Sequence, residues 1–110
     1  MLTFGTYSAL EEHLEEMKQR IESHMKNGVL FCDCSAQISD DVVIGRGTVI
    51  LPGVILQSGT VIGENCTIGP NTVIRASTIG DNATVNQSQI SGSTIGSGTA
   101  IGPFAHIRNH

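Results

Sequence analysis

Aliphatic residues recur every six positions along most of this chain, at Ile38, Ile44, Ile50, Leu56, Ile62, Ile68 and Ile74. The series runs on through Ile79, Val85, Ile90, Ile95, Ile101 and Ile107, with three of its steps shortened to five. Glycine follows the aliphatic residue at 45, 63, 69, 80, 96 and 102. A small or β-branched residue sits four places after many of them, as at Thr48, Val54, Thr60, Cys66, Thr72, Thr78, Ala83 and Thr94. An α-helix brings its stripe round every 3.6 residues and a flat strand every two, so neither explains a period of six. A strand of two or three residues followed by a bend does. Three such sides close a triangular coil of about 18 residues, with the aliphatic residues stacked inside and glycine, Asn and Asp at the corners. The spacing predicts a parallel β-helix of about four coils, each needing its neighbours to bury its face.

The first part of the chain has a different rhythm. Leu10, Leu14, Met17, Ile21 and Met25 are spaced by four, three, four and four, one apolar stripe on a helix. Ser8-Ala9-Leu10-Glu11 reads as a capping box, and Asn27-Gly28 as a stop in which Gly28 takes positive φ. A helix over about 9–26 is expected, packed through its stripe on the coils that follow. The short apolar run "VLFCDCSA" at 29–36 is expected to cover the first end of the β-helix. The expected division is a linker-like helix over 1–28 and the β-helix over 29–110. No cap or helix follows Ile107, so the far end of the solenoid is expected to be irregular, covered by a neighbour or exposed.

Composition narrows the partners. With 110 residues, 39% hydrophobic and 15% charged, the chain has room for one domain and is too apolar for a disordered tail. No apolar run approaches the length of a membrane span, and no secretory signal is visible, so a cytoplasmic location without membrane attachment is expected. The net charge of −4 and the lack of a basic patch with aromatics argue against a nucleic-acid partner. Three cysteines, Cys32, Cys34 and Cys66, make an odd count that suits a reducing compartment. Cys32 and Cys34 are too close for C-x-x-C, no histidines join them at ligand spacing, and no metal site is expected. They read as buried or half-buried thiols, and Cys66 as packing at a small position of the repeat.

The candidate chemistry is sparse. "GRG" at 45–47 and the IG-x-N phrases share glycine with phosphate loops but lack their lysine and spacing, and read as corners. Asp40-Asp41 reads as a polar corner. His13 and His24 fall outside the helical stripe and are expected in solvent, while His110 is terminal. His106, between Ala105 and Ile107, is expected to point outward and is the one histidine carried as a candidate. A general base needs its substrate proton within about 3 Å and a supporting partner, and the sequence names no partner for it.

The pattern [LIV]-G-x-x-[STAVC]-x is that of hexapeptide-repeat β-helices. Longer phrases are more specific: "HMKNGVLF" leading out of the helix, "DVVIGRGTVILPGVIL", "TVIGENCTIGPNTVI", "STIGDNATV" and "IGPFAHIR" at 101–108. Over about residues 10–108 the chain resembles the middle of the bacterial bifunctional enzymes that acetylate glucosamine-1-phosphate and then uridylate the product. That resemblance implies a left-handed coil and a homotrimer. It also implies a place in UDP-N-acetylglucosamine biosynthesis, which supplies cell-wall precursors. Arg108 matches the family arginine that binds the sugar phosphate, a task suited to a planar fork that pairs two oxygens.

The same resemblance limits what is expected. The uridylyltransferase site would fall in a domain preceding this segment. The acetyltransferase base and the acetyl-coenzyme A contacts would fall after residue 110. No catalytic residue and no cofactor is therefore expected here; acetyl-coenzyme A and magnesium are implied only for the full-length family. The chain departs from the family where Arg108-Asn109-His110 replaces Arg-Pro-Gly, around "CDCSAQ", and in "FGTYSAL". Three readings remain: an acetyltransferase framework inactive alone, a non-enzymatic trimeric scaffold, or a short acyl-CoA-dependent acetyltransferase of another hexapeptide family. The last would need a long loop for its cofactor, and the repeat has no such insertion.

Overall fold

The computed structural model describes residues 7–33 and 35–108, with side chains from Glu11 onward. One helix, α1 (Tyr7–Lys26), is followed by fourteen short strands. The strands form three parallel sheets, the three flat sides of a prism. The first side holds β1 (Leu30–Phe31), β4 (Val49–Ile50), β7 (Thr67–Ile68), β10 (Thr84–Val85) and β13 (Ala100–Ile101). The second holds β2 (Gln37–Ile38), β5 (Ile55–Leu56), β8 (Val73–Arg75), β11 (Gln89–Ser91) and β14 (His106–Arg108). The third holds β3 (Val43–Ile44), β6 (Val61–Ile62), β9 (Thr78–Ile79) and β12 (Thr94–Ile95). The chain visits the sides in order, so each turn of the coil adds one strand to each sheet.

The aliphatic series is the inside of this prism. Ile50 pairs in register with Ile68, and Ile68 with Val85; Leu56 pairs with Ile74, and Ile62 with Ile79. Ile68 and Ile74 are fully buried. Burying a side chain of that size contributes about 1.5–3 kcal/mol, which a single isolated turn would not collect. Between the rungs lie small residues whose hydroxyls are satisfied. Thr48 donates to Gly63 O at 2.7 Å and Thr60 to Ile74 O at 3.2 Å. Cys66 is buried as expected, its thiol 3.1 Å from Gly80 O.

Three sequence expectations about the repeat are corrected. Residues 29–36 are not a cover but the first side of the first turn, since Leu30 and Phe31 pair with Val49 and Ile50. Phe31 lies seven residues before Ile38, which hid it from the six-residue pattern. Secondly, where a step shortens to five, the inward small residue is a serine one place earlier. Ser77 and Ser88 are buried, while Thr78 and Thr94 point outward. Each serine folds back onto a carbonyl two residues before it, Ser77 to Arg75 O at 2.8 Å, Ser88 to Asn86 O at 2.7 Å and Ser93 to Ser91 O at 2.9 Å. The turns accordingly contract from 18 residues (Gln37↔Ile55) to 17 (Val61↔Thr78) and 16 (Val73↔Gln89).

The third correction concerns the corners. The glycines after the third-side strands are not there for φ. A Cβ on Gly45 would lie 2.5 Å from the Gly63 carbonyl carbon, and one on Gly80 2.6 Å from Ser97 N. They let successive turns touch. Positive φ falls two residues later, at Gly47 (79°), Asn65 (57°), Asn82 (60°) and Gly98 (73°). There each corner N–H donates to the turn below: Asn65 N to Arg46 O at 3.0 Å, and Asn82 N to Glu64 O at 2.9 Å. Asp41 is the polar corner expected of it, accepting from Ser58 Oγ at 2.7 Å and Gly59 N at 3.0 Å. Those bonds, the hydroxyl's foremost, hold its carboxyl below the usual aspartate range.

The helix also differs in detail. It is already helical at Tyr7, so Ser8 lies in the first turn and not at the cap position. Its other end matches expectation: Gly28 has φ 93°, its N–H donates to Met25 O, and Val29 N donates to His24 O. Ile21 is buried and Met17 half-buried, but Leu14 and Met25 are exposed; the side chain of Leu10 lies outside the described residues. The docking face is rotated towards His13, Arg20 and His24, all half-buried; the two histidines were expected in solvent. The physical reason is what the helix covers. The first turn of a parallel coil presents unpaired carbonyls as well as apolar rungs. Arg20 answers one of them, donating from Nη1 to Ile38 O at 3.2 Å. Burial of the His24 imidazole lowers its pKa from 6.5. Cys32 is exposed, against expectation, because it leaves the strand at a bend; Cys34 lies outside the described residues.

Candidate functional site

Most strands have two residues, one in and one out. On the second side β8, β11 and β14 have three, so each shows two outward residues around an inward isoleucine. Register then stacks two outward columns. One is Val73, Gln89 and His106; the other is Arg75, Ser91 and Arg108. These residues, with Gln57 and Ile90, line a shallow concavity of about 420 Å³. His106 and Arg108 are both exposed, as the alternation around Ile107 predicts. His13 and His24 are far from them on α1, and His110 lies outside the described residues.

Within the concavity the polar contacts are few. Arg108 Nε donates to His106 Nε2 at 3.3 Å, and Arg75 Nη2 donates to Ser91 Oγ at 3.3 Å. His106 is thus held by a cation, not by the carboxylate that would orient and strengthen a general base. Among the described residues no carboxylate lines the concavity and neither arginine forms an ion pair. The arrangement suits binding an anion far better than moving a proton. Among the described residues no three His, Cys, Asp or Glu side chains are grouped closely enough to hold a metal ion.

Arg75 escaped the sequence reading. It is 33 residues from Arg108, and only the two shortened turns bring both into one column. A signal was present: "VIR" at 73–75 and "HIR" at 106–108 are the same outward-inward-outward phrase ending in arginine.

The fold and its repeats define the class. The family model for the bacterial transferase hexapeptide (six repeats) matches residues 41–76, and the solenoid is the left-handed parallel β-helix of such repeats, preceded by one helix. Within that class the chain corresponds to the hexapeptide-repeat region of the bifunctional protein GlmU. It is 45% identical to GlmU of Bacillus subtilis over 102 residues, covering 91% of this chain and 22% of that protein. It is 48% identical to GlmU of Clostridium botulinum over 94 residues, and 54% identical to that of Caldanaerobacter subterraneus over 94, each match covering 84% of this chain and 21% of the relative. The chain therefore spans about a fifth of the length of these relatives. A solved acetyltransferase domain of PglB from Neisseria gonorrhoeae, in complex with acetyl coenzyme A, overlaps 87% of this chain and 60% of its own at 20% identity. Its TM-score of 0.37 is too low to carry an argument.

Proposed function

We propose that this chain is the β-helical framework of a glucosamine-1-phosphate N-acetyltransferase in UDP-N-acetylglucosamine biosynthesis, with Arg108 as the arm that holds the substrate phosphate. The observation that carries the reading is the match to GlmU over most of the chain, together with Arg108 standing exposed over a concavity that no carboxylate among the described residues lines. In this reading residues 1–28 form a linker-like helix and residues 29–110 the β-helix. The protein works in the cytoplasm; no helix among the described residues is long and apolar enough to cross a membrane.

The framework reading includes a homotrimer. Flat sheet faces suit cyclic packing, and Leu30, Val43 and Val61 lie exposed on two of the three sides. Light scattering should give three times the 11.6 kDa protomer mass. A monomer at micromolar concentration would remove this part of the proposal.

Catalysis by these residues alone is not part of it. His106 has no carboxylate partner, and no corner among the described residues projects a loop able to enclose a pantetheine arm. Among the described residues no group of three His, Cys, Asp or Glu side chains would hold magnesium either. Incubation with acetyl-coenzyme A and glucosamine-1-phosphate should release no coenzyme A thiol above the uncatalysed rate, whereas enzymatic turnover would favour a short acyltransferase. Glucosamine-1-phosphate should still bind weakly, and Arg108→Gln should weaken that binding about tenfold, the scale of a charge-assisted bond. No binding by the unaltered chain, with a trimer present, would leave the scaffold reading.

A further inference from the structure

We propose that Arg75 is a second arm of the same anion site, so that a phosphate monoester is held between Arg75 and Arg108 across the intervening strand β11. The inference rests on the assignment of Arg108 to a phosphate and adds to it a residue 33 positions earlier in the chain.

Register supplies the first support. Arg75 pairs with Ser91 and Ser91 with Arg108, so the two arginines stand two strands apart in one column. Parallel strands are about 4.8 Å apart, which puts the two backbones about 10 Å from each other. That distance is within the combined reach of two arginine side chains, so one ligand over Ser91 can touch both; in this structure Arg108 is held at its Nε by His106 Nε2. The hydrogen bond from Arg75 Nη2 to Ser91 Oγ shows that Arg75 already leans towards Ser91. Ser91 accepts in that bond, so its own proton remains to donate to a ligand oxygen.

Charge supplies the second. The chain carries a formal −4, yet two guanidinium groups share one concavity that no carboxylate among the described residues lines. Like charges so placed repel, and neither is neutralised among the described residues. A ligand with two negative charges on one centre relieves that repulsion and satisfies both forks, which a carboxylate would do only in part. The remaining lining is uncharged: Gln57 and Gln89 offer amides, and Val73 an apolar patch. That is a fitting surface for the hydroxyls and ring of a sugar beside the phosphate.

The test follows the arginine Nε–Hε signals of the full chain by NMR during titration with inorganic phosphate, glucosamine-1-phosphate and neutral N-acetylglucosamine. Both phosphorylated probes should shift Arg75 and Arg108 together, with one common dissociation constant, and the neutral sugar should shift neither. Tighter binding of the sugar phosphate identifies a phosphorylated sugar as the occupant; tighter binding of inorganic phosphate identifies the free ion. Either result upholds the pair. Arg75→Gln should weaken phosphate binding about tenfold without lowering the melting temperature. Arg46→Gln, the same charge change at a distant corner, should leave binding as it is. If Arg108 responds while Arg75 stays still, the second arm is refuted and the phosphate role of Arg108 stands. If neither responds to either phosphorylated probe, both fall together.

Discussion

Ala76 sits at a corner with φ 50°, where an L-residue pays a steric penalty that glycine does not. Its place in the column is shared by Gly59 (φ 82°) and Gly92 (φ 59°). Ala76→Gly should therefore raise stability by about 1 kcal/mol despite the looser unfolded chain, read as a higher melting temperature. At the rungs the direction reverses. Ile68 is wholly enclosed by the turns above and below, so Ile68→Ala should cost about 2–5 kcal/mol in chemical denaturation. A loss under 1 kcal/mol would mean that the prism collapses onto the gap more freely than its stacked backbone suggests.

At the scale of elements, legibility depended on whether a residue answers to its own repeat or to a neighbour. Ile38 to Ile107 were readable because every turn poses the same packing problem. The helix was readable as a helix, from its stripe and from Asn27-Gly28, but its docking face was not. Hydropathy marks apolar side chains, and the coil end it covers also presents carbonyls that want donors. Arg20 should accordingly matter: Arg20→Met, which keeps length and removes the donor, should destabilise by about 1–2 kcal/mol. His24 adds a pH term. Its folded pKa lies below 6.5, so the unfolded chain takes up the proton first. Its contribution is complete above about pH 6.5 and is lost as the pH falls from there towards the folded value. His24→Gln should flatten the stability profile just below pH 6.5. Asp33 and Asp41, both lowered by hydrogen bonds, act only further down, below their usual 3.8. The site shows the same divide. Of the two arginines proposed for it, Arg108 stands out through the resemblance of "GPFAHIR", whereas Arg75 needs the register of the two shortened turns.

At the scale of the molecule, a coil in which each turn touches only its neighbours has stability distributed along one axis. Burial is near complete at Ile50, Ile68 and Ile74, but Ile95 and Ile101 retain 8% exposure and Ile107 is only half-buried. Hydrogen exchange on the 110-residue chain should show β4 to β8 exchanging slowest and β13 and β14 fastest. A uniform rate from β4 to β14 would mean that the coil opens only as one unit. If the chain is a trimer through its flat sides, the gradient should flatten on raising its concentration.

The column of glycines at 45, 63 and 80, each pressed against the turn above, also governs how such a chain can change its length. Along that edge of the prism every step keeps six residues, from Ile44 to Ile50 through Ile95 to Ile101, while the five-residue steps all fall on the other two edges. One edge behaves as a ruler and the other two as expansion joints. Single-residue losses are admitted at the joints, where a serine closes the shorter bend. On the ruled edge the natural unit of gain or loss is an entire turn, which arrives with its own rungs, its own contact glycine and its own corner. A gene built this way grows by duplication of whole turns, and each duplication lifts whatever stands on the outer face by one strand spacing without turning it away.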